Sequence, residues 1–161
     1  MKAPVALVVG VVALSLSAAQ AQTDPLLGTW VMNVAKSHYS PGPPPRNQTS
    51  VYEAAGQGVK VTVTGTSADG KATAYSFTTK FDGKDVPVTG NPDWDTTSFK
   101  RTDNHTIEFT RKKDGKVVLT GTMVLAKDGT TRTVTTTGVN AKGEKIHNVG
   151  VYERQAGRGT N

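Results

Sequence analysis

The chain carries three histidines, His38, His105 and His147, and metal or acid–base chemistry would be sought from them first. No two stand at an H-x-H or H-x-x-x-H spacing, so nothing in the sequence brings two imidazoles to one zinc or non-haem iron ion. A single histidine can ligate haem inside a barrel, and His147, in an alternating segment near the C-terminus, is the one candidate for that role. The commoner fate of such a residue is an exposed or hydrogen-bonded position on a strand. Serine chemistry has no G-x-S-x-G elbow to rest on. The chain has no cysteine, which removes thiol catalysis and every Cys-based zinc or iron–sulfur site. Asp93-Trp94-Asp95 sets two carboxylates around an aromatic ring, a combination suited to acid–base work or to a glycan. Its neighbours Gly90, Asn91 and Pro92 read instead as a loop in which the tryptophan anchors a turn. No nucleophile–base pair and no metal set emerges, so neither an enzyme nor a resident cofactor is expected.

What remains is an internal cavity. Trp30, Met32, Tyr52, Tyr75, Phe77, Phe109, Met123 and Tyr152 are the large residues that would line it, or would simply fill the core. Small barrels do either. The two outcomes lead to different functions: a binder of a small apolar or amphipathic molecule, or a solid envelope module that meets its partner through its outer surface.

The elements that must position these residues are strands. Asp69-Gly70, Asp82-Gly83, Asp114-Gly115 and Asp128-Gly129 are Asp-Gly pairs suited to type I′ turns, and Lys142-Gly143 is related. Weaker turn signals at Gly90-Asn91-Pro92-Asp93 and Asp103-Asn104 fill the longest gap. Between turns the residues alternate. The valines of Val59 to Thr64 share one face, Ile107 and Phe109 share another, and Val117, Leu119, Gly121, Met123 and Leu125 a third. In the last segment Ile146, Asn148, Gly150 and Tyr152 fall together, opposite His147, Val149 and Val151. Period-two alternation over many short, threonine-rich segments predicts antiparallel strands with one buried face. Ser37 to Pro45 reads as a proline-rich connector. About nine strands in simple succession must hide their edges, which predicts a single all-β, up-and-down antiparallel barrel of about 8–10 strands over residues 22–155, with a disordered tail at 156–161.

Residues 1–21 read as a cleavable signal peptide. Lys2 gives the charged start, Val5 to Leu16 the apolar stretch, and Ala19-Gln20-Ala21 the A-x-A site. The apolar stretch is shorter than the ~20 residues of a spanning helix, so no permanent membrane anchor is expected. Cleavage after Ala21 places the product in the periplasm or outside the cell. The net charge of +6 invites a nucleic-acid reading, but the lysines are scattered at turns, and no nucleic-acid partner is expected. The one dense cluster, Arg111-Lys112-Lys113 beside a turn, reads as an edge and solubility device. A monomer is expected.

Gly28-Thr29-Trp30 at the start of the first strand resembles the G-x-W signature of the lipocalin and fatty-acid-binding-protein (calycin) superfamily. The C-terminal hairpins and the strand Val149 to Arg154 are similar to it too, and GTWVMNVAKSHYSPGPPP resembles small exported bacterial members of unassigned role. The resemblance implies a structural role for Gly28 and Trp30, with Trp30 closing one end of the barrel and a late-strand arginine stacked on its indole. Arg154 is the first choice and Arg132 the second. It also implies an Arg-x-Tyr carboxylate clamp on the last strand, where Tyr152 matches but Gly150 stands in the arginine's place. A helix-turn-helix lid is replaced by the proline run. A fatty-acid carrier is therefore disfavoured, and the ligand is left open.

Overall fold

A computed structural model describes residues 23–156, so the expected signal segment and the residues after Ala156 lie outside the described region. Eleven strands follow in order: β1 (Gly28–Met32), β2 (His38–Ser40), β3 (Asn47–Ala55), β4 (Gly58–Thr66), β5 (Ala72–Thr79), β6 (Asp82–Pro87), β7 (Thr96–Arg101), β8 (Thr106–Lys113), β9 (Lys116–Leu125), β10 (Thr131–Val139) and β11 (Lys145–Arg154). Ten of them form the wall in the order β5-β4-β3-β1-β11-β10-β9-β8-β7-β6, at the top of the expected range. Each neighbouring pair is antiparallel. Between the two outermost members, one bridge joins Ser76 of β5 to Thr89, just past the end of β6. Ser76 and Thr89 exchange N–H···O bonds of 2.9 and 3.0 Å, which nearly closes the barrel.

The eleventh strand corrects the expectation of a connector from Ser37 to Pro45. His38–Ser40 pairs with His147–Val149 of β11, and the rest of the segment, Ser37 and the residues after Ser40, is irregular. β1 and β2 thus lie along the same edge of β11, separated by a 3₁₀ turn at Val34–Lys36. Across that break the Val151 N–H donates to Ser37 Oγ at 3.0 Å, so a side chain substitutes for the missing ladder carbonyl.

Two local expectations also change. Only Asp114-Gly115 has positive φ at both turn residues (49° and 77°), as a type I′ turn requires. At Asp69-Gly70 and Asp128-Gly129 the glycine alone does so. Asp82-Gly83 is no hairpin loop, for it opens β6 at a register irregularity, and the chain reverses at Phe81 (φ 56°). Val117, expected inside, is 57 % exposed. A register irregularity between Arg111 and Lys112 pairs Lys112 with Val117 but Arg111 with Leu119, so the alternation loses phase at the rim.

One end of the barrel is packed shut. Leu26, Trp30 and Phe81 are buried there, and the segment before β1 straps across, with Asp24 Oδ2 accepting from Arg101 of β7 at 2.7 Å. The Trp30 indole N–H donates to the Leu26 carbonyl at 2.9 Å. Its ring lies 4.3 Å from the Arg154 guanidinium and 5.2 Å from that of Arg132, so both candidate arginines serve. Gly28 supports this contact, since a Cβ there would sit 2.9 Å from Arg154 Nη1. Toward mid-barrel, Phe77, Phe99 and Phe109 stack at centroid separations of 5.0 and 5.4 Å. Gly121, opposite Phe109, makes room for that ring, because a Cβ there would overlap it and the Thr135 carbonyl oxygen.

Candidate functional site

The other end is hollow. A chamber of about 210 Å³ lies between Tyr39, Tyr75, Trp94, Arg111, Val134 and Tyr152, with Gln48, Asn91 and Asn148 among the polar groups at its walls. A second space, a groove of about 440 Å³, lies at the rim, where Val118, Val139 and Ala141 meet Asp93 and Lys113. Trp94, Leu119 and Ile146 border both spaces. Below the chamber a space of only about 30 Å³ separates Arg111 and Arg132 above the phenylalanine stack.

Strand alternation explains each inward group. On β8, Ile107 and Phe109 face the core and Arg111 is the next residue on that face. On β10 the same face carries Arg132, Val134 and Thr136, and on β11 Ile146, Asn148, Gly150 and Tyr152. Trp94 comes from the loop between β6 and β7. The Asn91 side chain accepts from the backbone N–H groups of Asp93 (2.9 Å) and Trp94 (3.3 Å), which turns the chain so that Trp94 is only 4 % exposed. The indole meets Tyr75 edge to face at 4.8 Å, and the Arg111 guanidinium sits 4.2 Å from its centroid. Asp95 then ties the loop to the β8–β9 hairpin by accepting from the Asp114 N–H at 3.0 Å.

Arg132 is 2 % exposed and surrounded by rings. Its guanidinium lies 4.7 Å from the Tyr52 centroid and 4.6 Å from that of Tyr152, and it donates to the Tyr52 hydroxyl at 2.6 Å. Gln48 Nε2 donates to the Tyr152 hydroxyl at 2.7 Å. Burial pushes the Tyr152 phenol well above its ordinary value and raises Tyr39 and Tyr75 as well, with Arg111 pulling all three back in part. These phenols are neutral hydroxyls at physiological pH. Neither Arg111 nor Arg132 forms an ion pair with a described carboxylate.

Of the eight large residues expected to line a cavity, Tyr75 and Tyr152 border the chamber. Tyr52, Phe77, Phe109 and Met123 border the narrow space beneath it, while Trp30 and Met32 border neither. His147 faces outward on β11, and His38 and His105 are exposed, so no histidine borders the chamber. Sequence reasoning missed Arg111, which it took for a surface lysine-type residue, and underrated Trp94, which anchors its loop and walls the chamber at once. The phase of Ile107 and Phe109 was the signal that pointed Arg111 inward.

No known family model and no curated protein matches the chain. Among solved structures it is similar to two redesigned β-barrels bound to DFHBI. One is mFAP1 (16 % identity, TM-score 0.41, 81 % of this chain and 95 % of that one) and the other mFAP0 (15 %, 0.44, 81 % and 99 %). It is similar also to Rv2717c from M. tuberculosis (16 % identity, TM-score 0.48, 82 % and 94 %).

Proposed function

We propose that the protein is an exported, lipocalin-like barrel that binds a small amphipathic molecule entering at its open end, without catalysing a reaction. One observation carries this reading: the open end holds a chamber of about 210 Å³ walled by aromatic and polar side chains, beside a rim groove of about 440 Å³ that shares Trp94, Leu119 and Ile146 with it, which together offer room for a small molecule with apolar and polar parts. Leu26, Trp30 and Phe81 pack the opposite end shut, which directs entry to the rim. The chamber's ionisable groups are arginine and tyrosine, suited to holding a ligand and poorly suited to proton transfer near neutral pH. Export rests on Lys2, the apolar stretch from Val5 to Leu16 and the Ala19-Gln20-Ala21 site.

The test is native mass spectrometry of the purified protein together with titration by 2-naphthol, a neutral fluorescent probe. A co-purified small molecule or saturable one-site uptake is expected. A bare mass combined with no uptake overturns the reading. Export is checked by fractionating cells and sequencing the mature N-terminus, which should begin at Gln22.

A further inference from the structure

Arg111 lays its guanidinium against the faces of Trp94 and Phe109, at 4.2 and 5.0 Å from their centroids. A guanidinium packed by its face keeps its N–H donors in the plane, directed past the rings. Its buried Nε has no hydrogen-bond partner among the described residues, and the same holds for Nε of Arg132. Both arginines border the same small space of about 30 Å³. The residues bordering that space and the chamber above it include no aspartate or glutamate. A buried cation, Arg132, and a half-buried one, Arg111, thus face one another across a small space without a facing carboxylate, an arrangement that a negative group beside them would relieve.

The walls add a second constraint. Tyr39, Tyr75, Trp94 and Tyr152 present aromatic surface to a chamber whose volume equals about seven waters at ~30 Å³ each. Beneath it the space narrows to about 30 Å³ over the Phe77–Phe99–Phe109 stack, which leaves no room for an extended chain to descend. We infer that the ligand is a small planar aromatic anion, its carboxylate-like oxygens on Arg111 and its ring against the Tyr75–Trp94 corner. This inference rests on the chamber reading above. The arginine fork matches a planar oxyanion, and flat π surfaces match a flat ring. Any apolar substituent leaves between Leu119 and Ile146 toward the rim groove.

The experiment is calorimetric titration of the purified protein with 2-naphthoate, 2-naphthamide and octanoate. Naphthoate should bind at least about tenfold tighter than either of the others, the preference expected when a charge-assisted hydrogen bond is gained. Arg111→Gln should erase the preference over the amide, and Arg111→Lys, which keeps the charge but loses the fork, should keep part of it. Equal binding of naphthoate and naphthamide overturns the anion while leaving the chamber standing. Octanoate as tight as naphthoate overturns the aromatic ring. Binding of none of the three overturns this inference, while the 2-naphthol titration and the native mass decide separately on the proposed function. Should Arg111→Gln fail to fold, the carboxylate–amide contrast in the unaltered protein decides by itself.

Discussion

Arg154 holds the closed end of the barrel together, and its removal should be measurable as lost stability. Its Nε donates to the Gly129 carbonyl at 2.8 Å, and its two terminal nitrogens donate to the carbonyls of Leu27 and Pro25. It therefore joins the β9–β10 turn to the strap before β1 while packing on Trp30. A hydrogen bond to a charged group contributes ~1.5–3 kcal/mol when buried, and a partly exposed guanidinium takes less, about 1 kcal/mol each. Arg154→Met should then cost about 3 kcal/mol, a drop in Tm of order 10 °C for a domain of this size. Arg154→Lys should recover roughly half, because one ammonium cannot reach three carbonyls in different directions. A double-mutant cycle with Trp30→Phe isolates the stacking, expected at ~0.5–2 kcal/mol. Urea and thermal unfolding give both quantities. A Tm for Arg154→Met within about 2 °C of the parent, or a cycle showing no coupling, refutes the role assigned to the arginine.

Gly121→Ala should destabilise by ~1–3 kcal/mol through overpacking against the Phe109 ring and the Thr135 carbonyl, read as a lower urea midpoint at constant slope. Trp94 borders the chamber and Trp30 does not, so 2-naphthoate should change tryptophan emission in the parent and leave it unchanged in Trp94→Phe. Four turn aspartates titrate low in the folded chain. Asp69 falls to about 2 through Ser67 and Lys71, while Asp95, Asp103 and Asp128 are lowered first by backbone N–H groups of Asp114, His105 and Thr130. A carboxyl lowered by folding contributes stability that is complete above its unfolded pKa of ~3.9 and fades as pH falls through the folded value. Tm should thus hold down to about pH 4 and decline from there toward pH 2; a flat profile to pH 2.5 contradicts it.

The wall of the barrel was legible because its cause is local. One buried face forces period-two alternation, and Val59 to Thr64, Ile107 to Phe109 and Lys145 to Glu153 all keep it. Trp30 with Arg154 was legible through a short motif. Features that depend on a distant partner were hidden. His38–Ser40 becomes a strand only because β11 offers a free edge beyond β1, and no property of those three residues announces it. The phase slip that exposes Val117 depends on how β8 and β9 meet at the rim.

Arg111 was hidden for a different reason. A run of basic residues beside a turn reads as solvated surface because burying a charge is costly. Sites that bind ligands are where that rule is broken, so patterning and polarity part company there. Gly150 shows the same failure from the other side. In the linear motif it marks a missing clamp, since an arginine two residues before Tyr152 would have gripped a carboxylate. In the barrel a Cβ at Gly150 would lie 3.0 Å from Tyr152 Cε2 and 3.4 Å from Met32 Cε, so a long side chain there would displace the tyrosine it was meant to assist. The cation arrives instead across the sheet. Arg132 of β10 is the register partner of Tyr152, and Arg111 reaches the same interior from β8. In a closed sheet, residues that share a site are neighbours by register and by face, and a motif read along one strand cannot count the charges that its neighbours supply.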